Sequence, residues 1–181
     1  MKRRGVTSRK WAGVRLFAMD VDGVLTDGSI FVSSNGTETK RFAIIDGLGL
    51  HMLRKSGVEL AWISGRRSAA TAHRAAELKV AHVIEGRHDK LEALRELSKR
   101  LGIPLGACAY MGDDVIDAPA IAAAGVGISV PSALPGALAA ADYVTRRPAG
   151  RGAVREVCDH ILRARTARGG NPRPSARSLT R

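Results

Sequence analysis

Two carboxylates, Asp20 and Asp22, stand two residues apart where the apolar run VRLFAM (14–19) gives way to Gly23. In an extended chain that spacing aims both side chains toward the same side. Further on, Ser64-Gly65-Arg66 closes a second apolar run, Lys90 opens a helical pattern after a third, and Asp113 and Asp114 follow Gly112 at the end of a fourth. Brought together, these carboxylates repel one another at a cost that a cation offsets. Oxygen donors with no His or Cys among them select Mg²⁺ over zinc. The chemistry such a set runs is phosphoryl transfer. One aspartate attacks phosphorus, and a second acid protonates the leaving oxygen and later deprotonates the hydrolytic water, while a hydroxyl and an ammonium hold the phosphoryl oxygens. Asp117, taken alone, reads as a helix N-cap.

The elements that must position these residues alternate along the chain. VRLFAM (14–19), VELAWI (58–63), AHVIEG (81–86), ACAYMG (107–112), GVGISV (125–130) and ADYVT (141–145) read as buried strands, continuous in hydrophobicity as in a parallel sheet covered on both faces. Helical patterns fall between them at 47–57, 68–79, 90–102, 118–125 and 133–141, with Gly57 and Gly102 as stops. The succession predicts an α/β fold with a doubly wound, mostly parallel, Rossmann-like sheet, whose ligand site lies at the carboxyl ends of the strands. One segment breaks the rhythm: GSIFVSSNGTETKRF (28–42) has two strand-like arms around Asn35-Gly36 and predicts a projecting β-hairpin.

The 181 residues suit one domain with a core of its own, and with 45% hydrophobic but 4% aromatic residues that core is expected to be aliphatic. The net charge of +12 is uneven along the chain. Residues 1–15 and 163–181 carry six Lys/Arg each and no acid, so the segment between is neutral. Weak, sequence-independent attraction of polyanions by the tails is all this charge implies, which argues against specific nucleic-acid recognition. Residues 1–13 are expected to form a basic disordered extension, 14–164 the folded domain and 165–181 a basic disordered tail. Two cysteines make no disulfide framework, and no apolar run is long enough for a signal or a membrane span, which places the chain in the cytoplasm.

DVDGVLTDG, a strand ending in SGR, a lone Lys and GDDVID resemble the four ordered motifs of the haloacid dehalogenase superfamily in its Mg²⁺-dependent phosphatase branch. That resemblance assigns Asp20 as nucleophile, Asp22 as general acid/base, Ser64 and Lys90 as phosphate ligands and Asp113 as metal ligand, with Asp114 in support. The metal would be held by the side chains of Asp20 and Asp113 and by the backbone carbonyl of Asp22. The gaps from Asp22 to Ser64 and from Lys90 to Asp113 have no room for the cap domains with which many relatives choose substrates.

Residues 14–164, including FAIIDGLGL, ISGRRS, GDDVIDAPAI and GRGAVREVCDHIL, closely resemble the capless 3-deoxy-D-manno-octulosonate 8-phosphate phosphatases of lipopolysaccharide precursor synthesis. The resemblance implies a homotetramer with the hairpin and a C-terminal segment at subunit interfaces. Phosphatases of nonulosonate 9-phosphates are an alternative. Ser64 stands where Thr is commoner, and Ala149 where the family often has Gly, which predicts a stiffer bend before Arg151. A sugar acid phosphate carries a carboxylate remote from its phosphate, and Arg suits such a group. The predicted substrate contacts are therefore Ser64, Gly65, Lys90, Arg66 and Arg151, the last of these in RRPAGRG (146–152), expected to lie against a neighbouring subunit's site. A phosphoacceptor signalling domain also uses acids, a hydroxyl and a Lys on an α/β rim. It has no need of the second acid at position 22.

Overall fold

The computed structural model describes residues 5–167 and Gly169. A short helix α1 (Ser8–Ala12) leads into β1 (Leu16–Met19), and the hairpin strands β2 (Phe31–Val32) and β3 (Glu38–Thr39) follow. Then come α2 (Ile44–Lys55), β4 (Glu59–Ile63), α3 (Ala69–Leu78), β5 (His82–Ile84), α4 (Lys90–Leu101) and β6 (Cys108–Met111). The chain continues through α5 (Ala118–Ala123), β7 (Val126–Ser129), α6 (Pro135–Ala140), β8 (Tyr143–Val144) and α7 (Ala153–Ala167).

The main sheet has the order β5-β4-β1-β6-β7-β8, and every pairing in it is parallel. From β1 the chain moves outward through β4 and β5, then returns across the sheet to β6 on the other side of β1. Crossovers between parallel strands are right-handed, so this reversal puts α2 and α3 on one face and α4, α5 and α6 on the other. Accordingly α2 packs against α3 and α7, and α4, α5 and α6 pack in series. The reversal also opens a crevice between the carboxyl ends of β1 and β6, where a doubly wound sheet binds its ligand. Asp20 follows β1 and Asp113 follows β6, so the crevice is lined by carboxylates.

All four residues of β1 are buried, as are those of β6 and β7. The core is aliphatic as expected, except that Trp62, Tyr110 and Phe17 are its bulkiest members. The hairpin ladder is short, pairing Phe31 with Thr39 and Val32 with Glu38. Its turn closes through Ser33 N to Thr37 O at 3.0 Å, with Gly36 at φ 81° where a side chain would be strained.

Three differences from the sequence expectation have physical causes. The N-terminal extension is not without structure over its whole length: α1 is capped by Thr7 and buries Trp11, whose ring stacks on His160 of α7 at 5.2 Å. Ring contacts of Trp11 with Tyr143 and His160 outweigh the basic composition that suggested disorder. α2 starts at Ile44, before the predicted 47, because the apolar pair Ile44-Ile45 belongs to its first turn. α7 runs on to Ala167, into the predicted tail; the rest of that tail, Gly169 apart, lies outside the described residues.

Candidate active site

Asp20 immediately follows β1 and is 7% exposed. Its backbone N–H continues the ladder, donating to Met111 O at 2.9 Å. Lys90, the first residue of α4, is 1% exposed and donates through Nζ to Asp20 Oδ1 at 2.7 Å. The same ammonium donates to Ile63 O at 2.5 Å, so one cation joins the carboxyl ends of β1 and β4. A buried ammonium is tolerated where such partners replace its water. Ser64 is the next residue after Ile63 and is buried; its Oγ accepts from Arg66 N at 3.1 Å, which fixes the SGR turn. The SGR glycine, Gly65, is close to a ring: a Cβ there would lie 3.1 Å from His88 Nδ1.

Asp113 reaches the same crevice from β6. Gly23 makes room for it, because with φ 84° its missing Cβ would sit 2.0 Å from Asp113 Oδ2. Asp113 Oδ1 is buried without a hydrogen-bond partner. Burial, with Asp20, Asp117 and Asp114 close by, pushes the Asp113 carboxyl up to about 7. Burial and the charge of Asp117 likewise raise Asp20 to about 6 against the opposing pull of Lys90. Carboxylate oxygens of Asp20, Asp113 and Asp117 lie within 4.8 Å of one another. Orphaned hard oxygens and raised carboxyls mark a place built for a divalent cation such as Mg²⁺.

Asp117 does more than occupy the N-cap position of α5. Its side chain makes no capping bond there. Instead Oδ2 accepts from the backbone N–H groups of Asp113 and Asp114, both at 3.1 Å, and Oδ1 accepts from Tyr110 OH at 2.8 Å. Fully buried and so engaged, it shapes the loop that presents Asp113, leaving Asp20 and Asp113 as the carboxylates with capacity for a metal. Gly112 permits this closeness, since a Cβ there would meet Asp117 Cβ at 2.3 Å. Asp114 turns away, accepting from Val115 N at 2.5 Å.

Asp22 stands at the rim with its side chain 20% exposed. Lys40, just past β3, donates to its Oδ2 at 2.9 Å and lies 2.8 Å from its Oδ1. Neither Lys40, Asp117 nor Tyr110 stood out in the sequence as site residues. Lys40 sits in a polar hairpin arm, where only the repeat of a charge on the arm's inner side hinted at burial.

The structure does not bring Arg66 and Arg151 into the cluster. Arg66 turns to the hairpin and pairs with Glu38 at 2.6 Å. Arg151 is exposed in a turn closed by its own N–H to Pro148 O at 3.1 Å. That turn is anchored on its own chain: Gly150 N donates to Val24 O at 3.1 Å, with Gly150 pressed against Thr26 at φ 61°. The bend is made by Gly150 and by Gly152 at φ 104°. Ala149 is buried and does not take positive φ. Among the described residues the segments between Asp22 and Ser64 and between Lys90 and Asp113 hold no added domain, and no helix is long and apolar enough to cross a membrane.

Residues 76–157 match the haloacid dehalogenase-like hydrolase family model. The chain is 43% identical over 155 residues to the 3-deoxy-D-manno-octulosonate 8-phosphate phosphatase KdsC of Escherichia coli, covering 86% of this chain and 82% of that protein. With the enzyme of the same name from Yersinia pestis the identity is 45% over 153 residues, covering 84% and 82%. Among solved structures, the 3-deoxy-D-manno-octulosonate 8-phosphate phosphatase of Moraxella catarrhalis, in complex with magnesium, phosphate and KDO, superposes with a TM-score of 0.87. It shares 52% identity, over 88% of this chain and 91% of that one. Identity at this level across nearly the whole folded region leaves one conclusion: the chain belongs to the 3-deoxy-D-manno-octulosonate 8-phosphate phosphatase family of the haloacid dehalogenase-like hydrolases.

Proposed function

We propose that this chain is a Mg²⁺-dependent phosphatase that hydrolyses 3-deoxy-D-manno-octulosonate 8-phosphate to the free sugar acid and phosphate, a step in lipopolysaccharide precursor synthesis. The observation that carries the reading is the buried Asp20–Lys90 pair beside the orphaned oxygen of Asp113, in a chain about half identical to a phosphatase of that name. Asp20 and Asp113 would hold the metal. Bound there, Mg²⁺ supplies the positive charge that offsets repulsion between the carboxylates and the phosphate dianion.

The chain's own groups divide the work. Lys90 occupies one oxygen of Asp20 and leaves the other to attack phosphorus, forming an aspartyl phosphate as the ester P–O bond breaks. The departing sugar oxygen takes a proton from Asp22, which is the acid open to the rim. In the second half, water attacks phosphorus, Asp22 takes its proton back, and phosphate leaves Asp20. Ser64 and Lys90 hold the phosphoryl oxygens through hydroxyl and ammonium donors, and the amide of Gly65 adds a donor beside them. Arg66 meets the substrate carboxylate by exchanging Glu38 for it.

The working form we propose is a cytoplasmic homotetramer with the hairpin and the C-terminal segment at its interfaces. Phe31 and Val32 are 64% and 63% exposed on the hairpin, and Ile44 and Leu48 add an apolar strip on α2. A second copy would cover this surface and close an open site. Both cysteines are free and buried, which suits a reducing compartment.

The test is phosphate release from octulosonate, nonulosonate and simple sugar phosphates with and without Mg²⁺. The expected result is a preference for the octulosonate 8-phosphate, no turnover without the metal, and loss of at least about 10³-fold in kcat for Asp20→Asn. Arg66→Ala should raise KM for the sugar acids and leave esters without a carboxylate unaffected. Equal rates on all esters would defeat the substrate assignment, and turnover by Asp20→Asn would defeat the mechanism.

A further inference from the structure

We infer that Lys40 is a positioning residue that sets the orientation of the proton-transferring carboxylate of Asp22, an assignment that rests on the phosphatase reading above. The hairpin's returning arm, TETKRF, alternates its side chains. Arg41 points outward and pairs with Asp27 at 2.8 Å. Lys40 points inward, and its side chain is 0% exposed. A surface lysine has no reason to be there, because withdrawing an ammonium from water costs several kcal/mol unless its protons are all accepted.

Lys40 has such partners on two sides. The ammonium of Lys40 has three protons to place. Two go to Asp22 Oδ2 at 2.9 Å and to Thr71 Oγ1 at 3.1 Å, while Asp22 Oδ1 lies 2.8 Å from the ammonium as an ion pair. Glu38 Oε1 stands further off, at 3.7 Å. Asp22 has no other hydrogen-bonding side-chain partner among the described residues. A carboxylate at a half-open rim turns freely about its own side-chain bonds unless something holds it. Lys40 hydrogen-bonds Oδ2 and pairs by charge with Oδ1, which restrains the turning of the carboxylate.

The same lysine ties that geometry to the rest of the hairpin. Glu38 also accepts from Ser68 Oγ at 2.5 Å and from Arg66 at 2.6 Å, and Ser68 caps α3 through Thr71 N at 3.3 Å. Hairpin base, SGR turn and the first turn of α3 therefore form one polar network, with Lys40 as its link to Asp22. A lysine that only stabilised the fold would have no need to clasp the proton-transferring acid.

The two readings part on leaving-group dependence. An alkoxide departs only with a proton, whereas 4-nitrophenolate departs without one. The experiment compares kcat/KM for 3-deoxy-D-manno-octulosonate 8-phosphate and 4-nitrophenyl phosphate in the unsubstituted enzyme, Lys40→Met, Asp22→Asn and the double variant, all with Mg²⁺. Lys40→Met is expected to lose on the order of 10²-fold on the sugar phosphate and less than about 3-fold on the aryl phosphate. It should cost nothing further in the Asp22→Asn background, since it acts through Asp22. Thr71→Val, which keeps the fold while removing one anchor of Lys40, should show the same selectivity at about five-fold, and carries the test if Lys40→Met does not fold. Equal losses on both esters, no loss, or an additive loss in the double variant would overturn the assignment. Absence of turnover of either ester by the unsubstituted enzyme would instead overturn the phosphatase reading itself, and this one with it.

Discussion

Asp20, Asp113 and Asp117 share a volume in which the buried ammonium of Lys90 pairs with Asp20 and Asp117, and the consequence is a pH dependence of stability. Burial and mutual repulsion raise Asp20 to about 6 and Asp113 to about 7, from an ordinary 3.8. Groups whose folded pKa lies above the unfolded one hold more protons when folded. Their contribution is present in full below about pH 4 and is lost as pH climbs through 6 and 7. The metal-free protein should therefore melt several °C lower at pH 7.5 than at pH 5.5, and Mg²⁺ should raise Tm more at the higher pH because it competes with protons for the same oxygens. Asp113→Asn should flatten the metal-free profile and abolish the Mg²⁺ effect; a steep profile surviving in that variant would refute the account. Of these residues, the spacing of Asp20 and Asp22 and the doublet Asp113-Asp114 could be read directly, because each follows an apolar run. Asp117 could not, since an Asp before APAI looks like any helix cap until Tyr110 and two backbone amides are found pointing at it. Lys40 was hidden for the opposite reason: its neighbours Glu38 and Arg41 are the exposed or half-exposed residues that the whole arm resembled.

At the scale of elements, the joint between α2 and α7 holds the RRPAGRG turn in place. Asp46, in the first turn of α2, accepts from Gly152 N at 3.1 Å and from Arg155 N at 2.7 Å. It thus caps α7 from a distant part of the chain, satisfying amides that the start of a helix leaves open. Gly49 lets the helices close up, as a Cβ there would come within 3.2 Å of the Arg155 backbone. Asp46→Ala should lower stability by about 1.5–3 kcal/mol, as expected for losing buried hydrogen bonds to a charged acceptor, which denaturant titration would measure. A change below about 0.5 kcal/mol would mean that α7 is held by packing alone. The helices and strands themselves were legible from periodicity, because the pattern of buried runs survives in the sheet. The joint was not: nothing local in IIDGLGL says that its acid caps a helix more than a hundred residues away.

At the scale of the molecule, the composition misled in one respect and guided in another. Charge placed in the termini correctly left a neutral body, yet it concealed that Trp11 sits within the basic N-terminal stretch and docks on α7. The mostly parallel, doubly wound character of the sheet and the absence of room for a cap both followed from the order and spacing of elements. What the order of elements does not contain is where one copy meets another. Exposed Phe31, Val32 and Ile44 support self-association, and if the tetramer closes the site then specific activity should fall on dilution, in step with the loss of mass seen by light scattering. Activity per chain that stays constant from tetramer to monomer would show that each site is complete alone. A different property comes from the strand that carries the nucleophile. β1 lies between β4 and β6, bonded on both sides, with every residue buried, and its ladder extends to the amide of Asp20 itself. Local openings begin where buried contacts are few, as at the exposed hairpin turn, residues 33–37. Asp20 is fastened to the part of the molecule that lets go last, so such openings change who may enter the site and leave the attacking atom in place.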